Sequence, residues 1–214
     1  PHGGKGSLAN AFDEVCKYYS AEGQAAPFER QALIKLRHIA GDAALGKKVE
    51  THRDSFVYSG APWDLTVALD LRRQQVKQLV EPGQINLKHS HGGIVTLEYA
   101  IQYLQVMHGH RHPSLRTPNT LRALAALIDV GLIPRATGEN LRKSYLFIRM
   151  LIDGLRMVRG NTKDLVIPPP DSDEFIFLAR RVGYQTEDWQ AGARHLQTDI
   201  EEHMKQNRQF FEKM

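Results

Sequence analysis

"HSHGGIVTLEYAIQYLQ", residues 89–105, is the stretch on which the reading of the chain turns. Gly92 and Gly93 stand directly before Ile94, Leu97, Ile101 and Leu104, whose spacing of three and four is the apolar stripe of a helix. A helix begun there leaves its first four N–H groups without intrahelical partners and concentrates partial positive charge at that end. Glycines let an anion approach such amides closely, and Lys88 adds a full charge just upstream. Glu98, Gln102 and Gln105 share a second side of the same helix. Two readings follow: a plain helix start with glycine for turn geometry, or an anion site with an equipped polar face.

Helical periodicity continues on both sides. Asp64 is placed to cap a helix carrying Leu65, Leu69, Val76 and Leu79, ended by Pro82 and Gly83, and "QINLK" reads as a short extended link. Thr117 and Pro118 form an N-cap and first-turn pair for a helix with Leu121, Leu124 and Ile128 that stops at Gly131. Thr137 opens another, with Leu141, Tyr145, Ile148, Ile152 and Leu155 inward. After three stiff prolines, 168–170, Asp171 and Glu174 resemble a capping box for residues 175–182. Thr186 is the expected cap of a last helix with Trp189, Ala193, Leu196, Ile200, Met204 and Phe211 on its stripe. Towards the N-terminus, Leu8, Phe12, Val15, Cys16 and Tyr19 have helical spacing. "ALIKLRHIAGD", 32–42, is ambiguous: Leu33, Lys35, Arg37 and Ile39 would share one face of a strand, whereas Leu33, Leu36 and Ile39 or Ala40 would share one side of a helix. Residues 59–214 read as a helical bundle, and 1–58 as a part that packs beside it.

The 214 residues suffice for one large domain, or one domain and part of another. No apolar run has the length of a membrane span and no signal peptide opens the chain, so no membrane partner is expected. Pro1 stands where an initiator Met would, so the N-terminus reads as a cut. Cys16 is the only cysteine, which excludes an internal disulfide and points to the cytoplasm. A formal charge of +4 mildly favours phosphates or acidic partners.

Other candidates carry less chemistry. "HGHRH", 108–112, puts His108 and His112 one turn apart, but Gly109 and Pro113 suggest a helix end and no cysteine lies near, so a solvated loop is the better reading. Asp171 and Asp173 form a D-x-D pair, but behind prolines and at a helix start they read as capping residues, not Mg²⁺ ligands. Arg142, Arg149 and Arg156 recur every seven residues, with Lys143 and Arg159 near: a solvated face, or a contact for phosphate or an acidic surface. No aromatic stacking platform accompanies them, so nucleic acid is not expected. "GGKG", 3–6, lacks the spacing of a phosphate-binding loop. The residues offer no catalytic side chain and no metal site.

"PHGGKGSLANAFDEVCKYY", "FERQALIKLRHIAGD" and "INLKHSHGGIVTLEYAIQYLQVMHGHRHPSLRTPNTLRAL" follow in order and together resemble the glutamine synthetase adenylyltransferase family over about residues 1–160. The specific part is a Lys-x-x-x-Gly-Gly-Ile-x-x-x-Glu-aromatic-x-x-Gln pattern carried by Lys88, Gly92, Gly93, Ile94, Glu98, Tyr99 and Gln102. Glu29, Gln31, Ala32 and Leu33 support it. The sequence departs at Thr96, where the family usually has an acidic residue, and at Lys35 and Leu36, while Arg37 matches.

The resemblance implies a mainly α chain: residues 1–58 as a small α/β remnant, the C-terminal part of a nucleotidyltransferase domain, and 59–214 as an all-helical bundle. It resolves 33–40 toward a strand, with Lys35 and Arg37 facing a nucleotide. It implies transfer of AMP from ATP to a tyrosine of glutamine synthetase, and possibly its removal by phosphorolysis, with PII signal protein and glutamine setting the direction. The implied nucleotide- or partner-facing residues are Lys35, Arg37, Lys88, Gly92, Gly93, Glu98 and Gln102. The Mg²⁺-binding carboxylates of the family precede the segment, so this chain alone is expected to be inactive. The alternative is a non-enzymatic helical module binding a PII-like or other acidic regulatory partner.

Overall fold

The computed structural model describes residues 9–161 and 164–214. Leu8 and the "GGKG" stretch lie outside them. The regular structure of the described residues is helical, nine α-helices and a 3-10 turn at Pro113–Leu115, with no strand and one isolated antiparallel bridge between Asn86 and Val166. The mainly α expectation is met. The helices are α1 (Phe12–Tyr18), α2 (Glu29–Leu33), α3 (Ala43–Val57), α4 (Leu65–Leu79), α5 (Ile94–His108), α6 (Thr120–Asp129), α7 (Arg135–Arg159), α8 (Asp173–Arg181) and α9 (Trp189–Glu212). Among the described residues no helix is long and apolar enough to cross a membrane. The chain divides into two compact units, Pro1–Asp64 with Gln102–Ala126, and Leu65–Ile101 with Leu127–Met214.

In the first unit the strand expected at 33–40 is absent. Glu29 starts α2 by accepting from the N–H of Ala26 at 3.0 Å. The N–H groups of Ile34 and Leu36 turn back to the carbonyls of Gln31 and Leu33. The Leu36 carbonyl accepts from the Arg53 guanidinium. These backbone groups are satisfied locally or by a side chain, without the neighbouring strand that a ladder requires. Helix α2 ends at Leu33 and the chain beyond it is turn and irregular; Ile34 is in the core, and Ile39, counted on either expected face, is 82% exposed. Helix α3, which no apolar stripe announced, is capped by Asp42, whose carboxylate accepts from the N–H of Leu45 at 2.9 Å. Buried Arg30 donates to the carbonyls of Val57 and Ala61, fixing the chain beyond α3.

In the second unit α7, α8 and α9 bury Ile148, Leu151, Leu155, Phe175, Leu178, Leu196 and Ile200 around one core. The expected extended link holds only over 84–86, where Leu87 donates to the Leu165 carbonyl and Ile167 to that of Ile85 around the Asn86–Val166 bridge; residues 87–89 already turn. Several helix starts are displaced from their expected residues. The N-cap of α6 is Asn119, whose side chain accepts from the N–H of Arg122 at 3.0 Å, not Thr117. Helix α7 begins behind Pro134, before Thr137. The cap of α8 is Ser172, accepting from the N–H of Phe175 at 3.2 Å; Asp171 is not the cap, and Glu174 is engaged by Arg159. Asp188, not Thr186, caps α9. Trp189 and Leu79, expected on inward stripes, are exposed; α4 buries Ala68 and Arg72 instead.

Candidate functional site

The Gly-Gly turn is built by short polar side chains. Asn86 Oδ1 accepts from the N–H groups of Lys88 and His89, both at 3.0 Å, and Ser90 Oγ accepts from the N–H of Asn86 at 2.8 Å. Such local bonds are what Asn and Ser offer to a turning backbone. Gly92 sits at φ +87°, a conformation that favours glycine.

The amides expected to stand bare are all occupied. Gly92 N–H donates to Thr96 Oγ1 at 3.1 Å and Gly93 N–H to the Ser90 carbonyl at 2.9 Å. Ile94 N–H donates to the Leu87 carbonyl, Val95 N–H to that of Lys88 and Thr96 N–H to that of Gly93. Both glycines are buried. A Cβ on Gly92 would lie 2.0 Å from the Met204 carbonyl oxygen, and one on Gly93 2.8 Å from that of Leu87. The glycines therefore allow backbone to approach backbone. They leave no amide cradle for a phosphate, which corrects the helix-terminus argument of the sequence.

Behind the turn lies a side chain that the sequence did not single out. Arg72 of α4 is 1% exposed. Its Nη2 donates to the carbonyls of His89 (2.7 Å) and Ser90 (3.1 Å) and to Thr96 Oγ1 (3.1 Å), and its Nη1 to Gln75 at 3.2 Å. None of these partners is a carboxylate. Burial pushes the guanidinium pKa down to about 10. Thr96, the position at which the sequence departs from the family pattern, is thus the side chain facing this buried cation. Its hydroxyl also donates to the Ser90 carbonyl at 3.4 Å. A position 68/72 stripe with one alanine and one arginine reads as a solvated face, and for that reason Arg72 was not legible.

The expected site residues fall in both units. Lys88, Gly92, Gly93 and Glu98 belong to the second; Lys35, Arg37 and Gln102 belong to the first. Lys88 and Arg37 are exposed. Lys35 donates to Thr120 Oγ1 at 2.8 Å and to the Pro118 carbonyl at 3.0 Å. Buried Gln102 accepts from Gln31 at 2.9 Å, Gln105 donates to the carbonyls of Leu115 and Thr117, and Glu98 accepts from the Tyr145 hydroxyl at 3.3 Å. The polar stripe of α5 is therefore engaged within the protein.

A cavity of about 780 Å³ in the second unit adjoins the turn at Ser90 and His91. Lys77, Lys205 and Arg208 outnumber Glu81 and Glu201 around it, which suits an anion better than a cation. Burial first, then the charges of Arg72 and Arg208, hold the His91 imidazole below its usual pKa. Among the described residues no group of three or more His, Cys, Asp and Glu is arranged to hold a metal ion, the "HGHRH" and Asp171/Asp173 stretches included.

Comparison with known proteins fits this frame. Residues 67–214 match the model of a family described as GlnD PII-uridylyltransferase. The chain is 35% identical over 184 residues to the bifunctional glutamine synthetase adenylyltransferase/adenylyl-removing enzyme of Mycobacterium tuberculosis strain H37Rv, covering 84% of this chain and 18% of that protein. It is 30% identical over 203 residues to the protein of the same name from Corynebacterium glutamicum (94% and 19%), and 35% over 156 residues to that from Hahella chejuensis (71% and 16%). The chain thus spans less than a fifth of the length of these curated relatives.

Proposed function

We propose a function from the premise that this chain belongs to the family described as GlnD PII-uridylyltransferase. It is part of an enzyme that transfers AMP from ATP to a tyrosine of glutamine synthetase and removes it by phosphorolysis. In transfer, the tyrosine oxygen attacks the α-phosphorus and pyrophosphate leaves. In removal, orthophosphate attacks the same phosphorus, the tyrosine oxygen leaves and ADP forms. The observation that carries this reading is the identity to bifunctional adenylyltransferase/adenylyl-removing enzymes over 84% of the chain, spanning the Gly-Gly turn.

Residues 1–58 are read as the C-terminal part of the nucleotidyltransferase domain and 59–214 as the helical domain that follows it in the chain. Lys88 in the second unit and Arg37 in the first are each read, separately, as an exposed charge available to the nucleotide or the protein substrate. In the second unit Gly92, Gly93 and Glu98 hold the turn and helix that carry Lys88, and in the first Lys35 and Gln102 are bonded within their own unit. Mg²⁺, when bound, would neutralise charge on the reacting phosphates in such a reaction. The described residues offer it no fitting donor set. PII signal protein and glutamine set the direction, and the setting is the cytoplasm.

The test is incubation of glutamine synthetase with labelled ATP and Mg²⁺, using the full-length protein and, separately, the 214-residue chain. Label on glutamine synthetase that orthophosphate releases as ADP is expected with the former and none with the latter. No label with the full-length protein would defeat the proposal.

A further inference from the structure

The exposed face of α7 is given no role in the proposed reaction. At about 100° per residue, Leu146, Met150 and Met157 fall within about 40° of arc. All three are exposed, at 41%, 41% and 65%. Arg142 and Arg149 run along one side of this ridge and Lys143 along the other, all exposed. Arg181 of α8 reaches its far end and donates to Met157 Sδ at 2.9 Å. The acidic groups on this face are Glu139, 4.0 Å from Arg135, and Asp153, paired with Arg156 at 3.3 Å. Arg159 is held by Asp164 and Glu174. The ridge therefore keeps a surplus of positive charge. From Arg142 to Met157 it runs about 22 Å at 1.5 Å per residue, four turns of helix.

We infer that this face docks an acidic amphipathic helix of a partner protein. Two amphipathic helices packing side by side bury apolar residues at such spacings. Met and Arg are enriched where protein surfaces meet, Met because it adapts its shape and Arg because its fork matches carboxylates. A second copy of the same face is a poor occupant, since Arg142, Lys143 and Arg149 would meet their like. An acidic helix neutralises them while its apolar stripe covers Leu146, Met150 and Met157. The inference is independent of the enzymatic reading.

The probe is a labelled helical peptide of about 18 residues, long enough to cover the ridge, with leucines at the 146/150/157 spacing and glutamates elsewhere. Fluorescence anisotropy with the full 214-residue chain should show saturable binding that salt weakens. Arg142→Glu/Arg149→Glu and, separately, Met150→Ser should each weaken it by about tenfold or more. These positions are exposed, and unchanged circular dichroism checks the fold. Three results would overturn the inference: no binding, equal binding by the charge-reversed variant, or equal binding of a peptide with lysines in place of the glutamates. Binding to phosphatidylserine vesicles that the charge reversal abolishes, without peptide binding, would assign the face to a lipid surface and also overturn it.

Discussion

Gly92→Ala is the sharpest probe of the turn, because its cost can be worked out against a control in the same unit. Gly83 and Gly92 both lie at positive φ, +79° and +87°. A Cβ on Gly83 meets nothing within 4 Å, whereas one on Gly92 would meet the Met204 carbonyl oxygen at 2.0 Å. Gly83→Ala therefore carries only the left-handed backbone penalty, about 1–2 kcal/mol. Gly92→Ala carries that penalty and an overpacking cost of about 1–3 kcal/mol. It also strains the 2.9 Å bond from Asn207 Nδ2 to the Gly92 carbonyl, worth about 0.5–1.5 kcal/mol. The sum is about 2.5–6.5 kcal/mol, a large share of a typical domain stability of about 5–15 kcal/mol. Urea unfolding followed by circular dichroism reads both variants. If Gly92→Ala unfolds at the same urea concentration as Gly83→Ala, the close packing of the turn on α9 is wrong and an open glycine turn returns as the better account.

Three further outcomes are expected. Thr96→Asp supplies the buried Arg72 with a counter-charge and should exceed Thr96→Asn in stability by about 1–3 kcal/mol at pH 7; the difference should vanish as pH falls through the carboxylate's depressed folded pKa, and equal stability of the two in urea would refute the pairing. Ser172→Ala should cost about 0.5–2 kcal/mol, the usual loss for an N-cap, and Asp171→Ala much less; the reverse order in thermal melts would return the cap to Asp171. Burial raises the Tyr58 pKa to about 12, so the native state keeps a proton that the unfolded chain loses near its ordinary value of 10. Stability should therefore be full below pH 10 and fall as pH rises toward 12, by about 2–3 kcal/mol, and Tyr58→Phe should remove that part of the decline; an unchanged alkaline slope would contradict it.

The parts of the fold legible in the sequence are those written as long apolar stripes. Leu141, Ile148, Ile152 and Leu155 of α7, and Leu196, Ile200 and Met204 of α9, are buried as their spacing requires. Boundaries slipped because neighbouring residues offer the same oxygen: Thr117 and Asn119, Asp171 and Ser172, Thr186 and Asp188 are each chemically able to cap. Helix α3 escaped because it buries only Gly46, Arg53 and Val57. At 33–40 the alternation was too short to decide between periods, and the strand rested on the family resemblance alone. At the turn, the sequence showed glycines before a helix but not where the amides would go. That depended on Thr96 and the carbonyls of Leu87, Lys88 and Ser90 folding back onto them. Asn86 and Ser90, four residues apart, are the one local hint, since both bond readily to nearby backbone.

The central claim is that a locked turn presents Lys88 to an adenylyl-transfer reaction on glutamine synthetase. Its most direct test is the intact mass of the glutamine synthetase subunit after timed incubation with ATP, Mg²⁺ and full-length protein, wild type or Lys88→Met, at subsaturating ATP. The account predicts that wild-type protein adds the mass of one AMP, lost again with orthophosphate, and that Lys88→Met, folded and equally stable, adds and removes it at least about tenfold more slowly, the loss of one charge-assisted contact. Wild-type rates of both reactions in the Lys88→Met protein would contradict it.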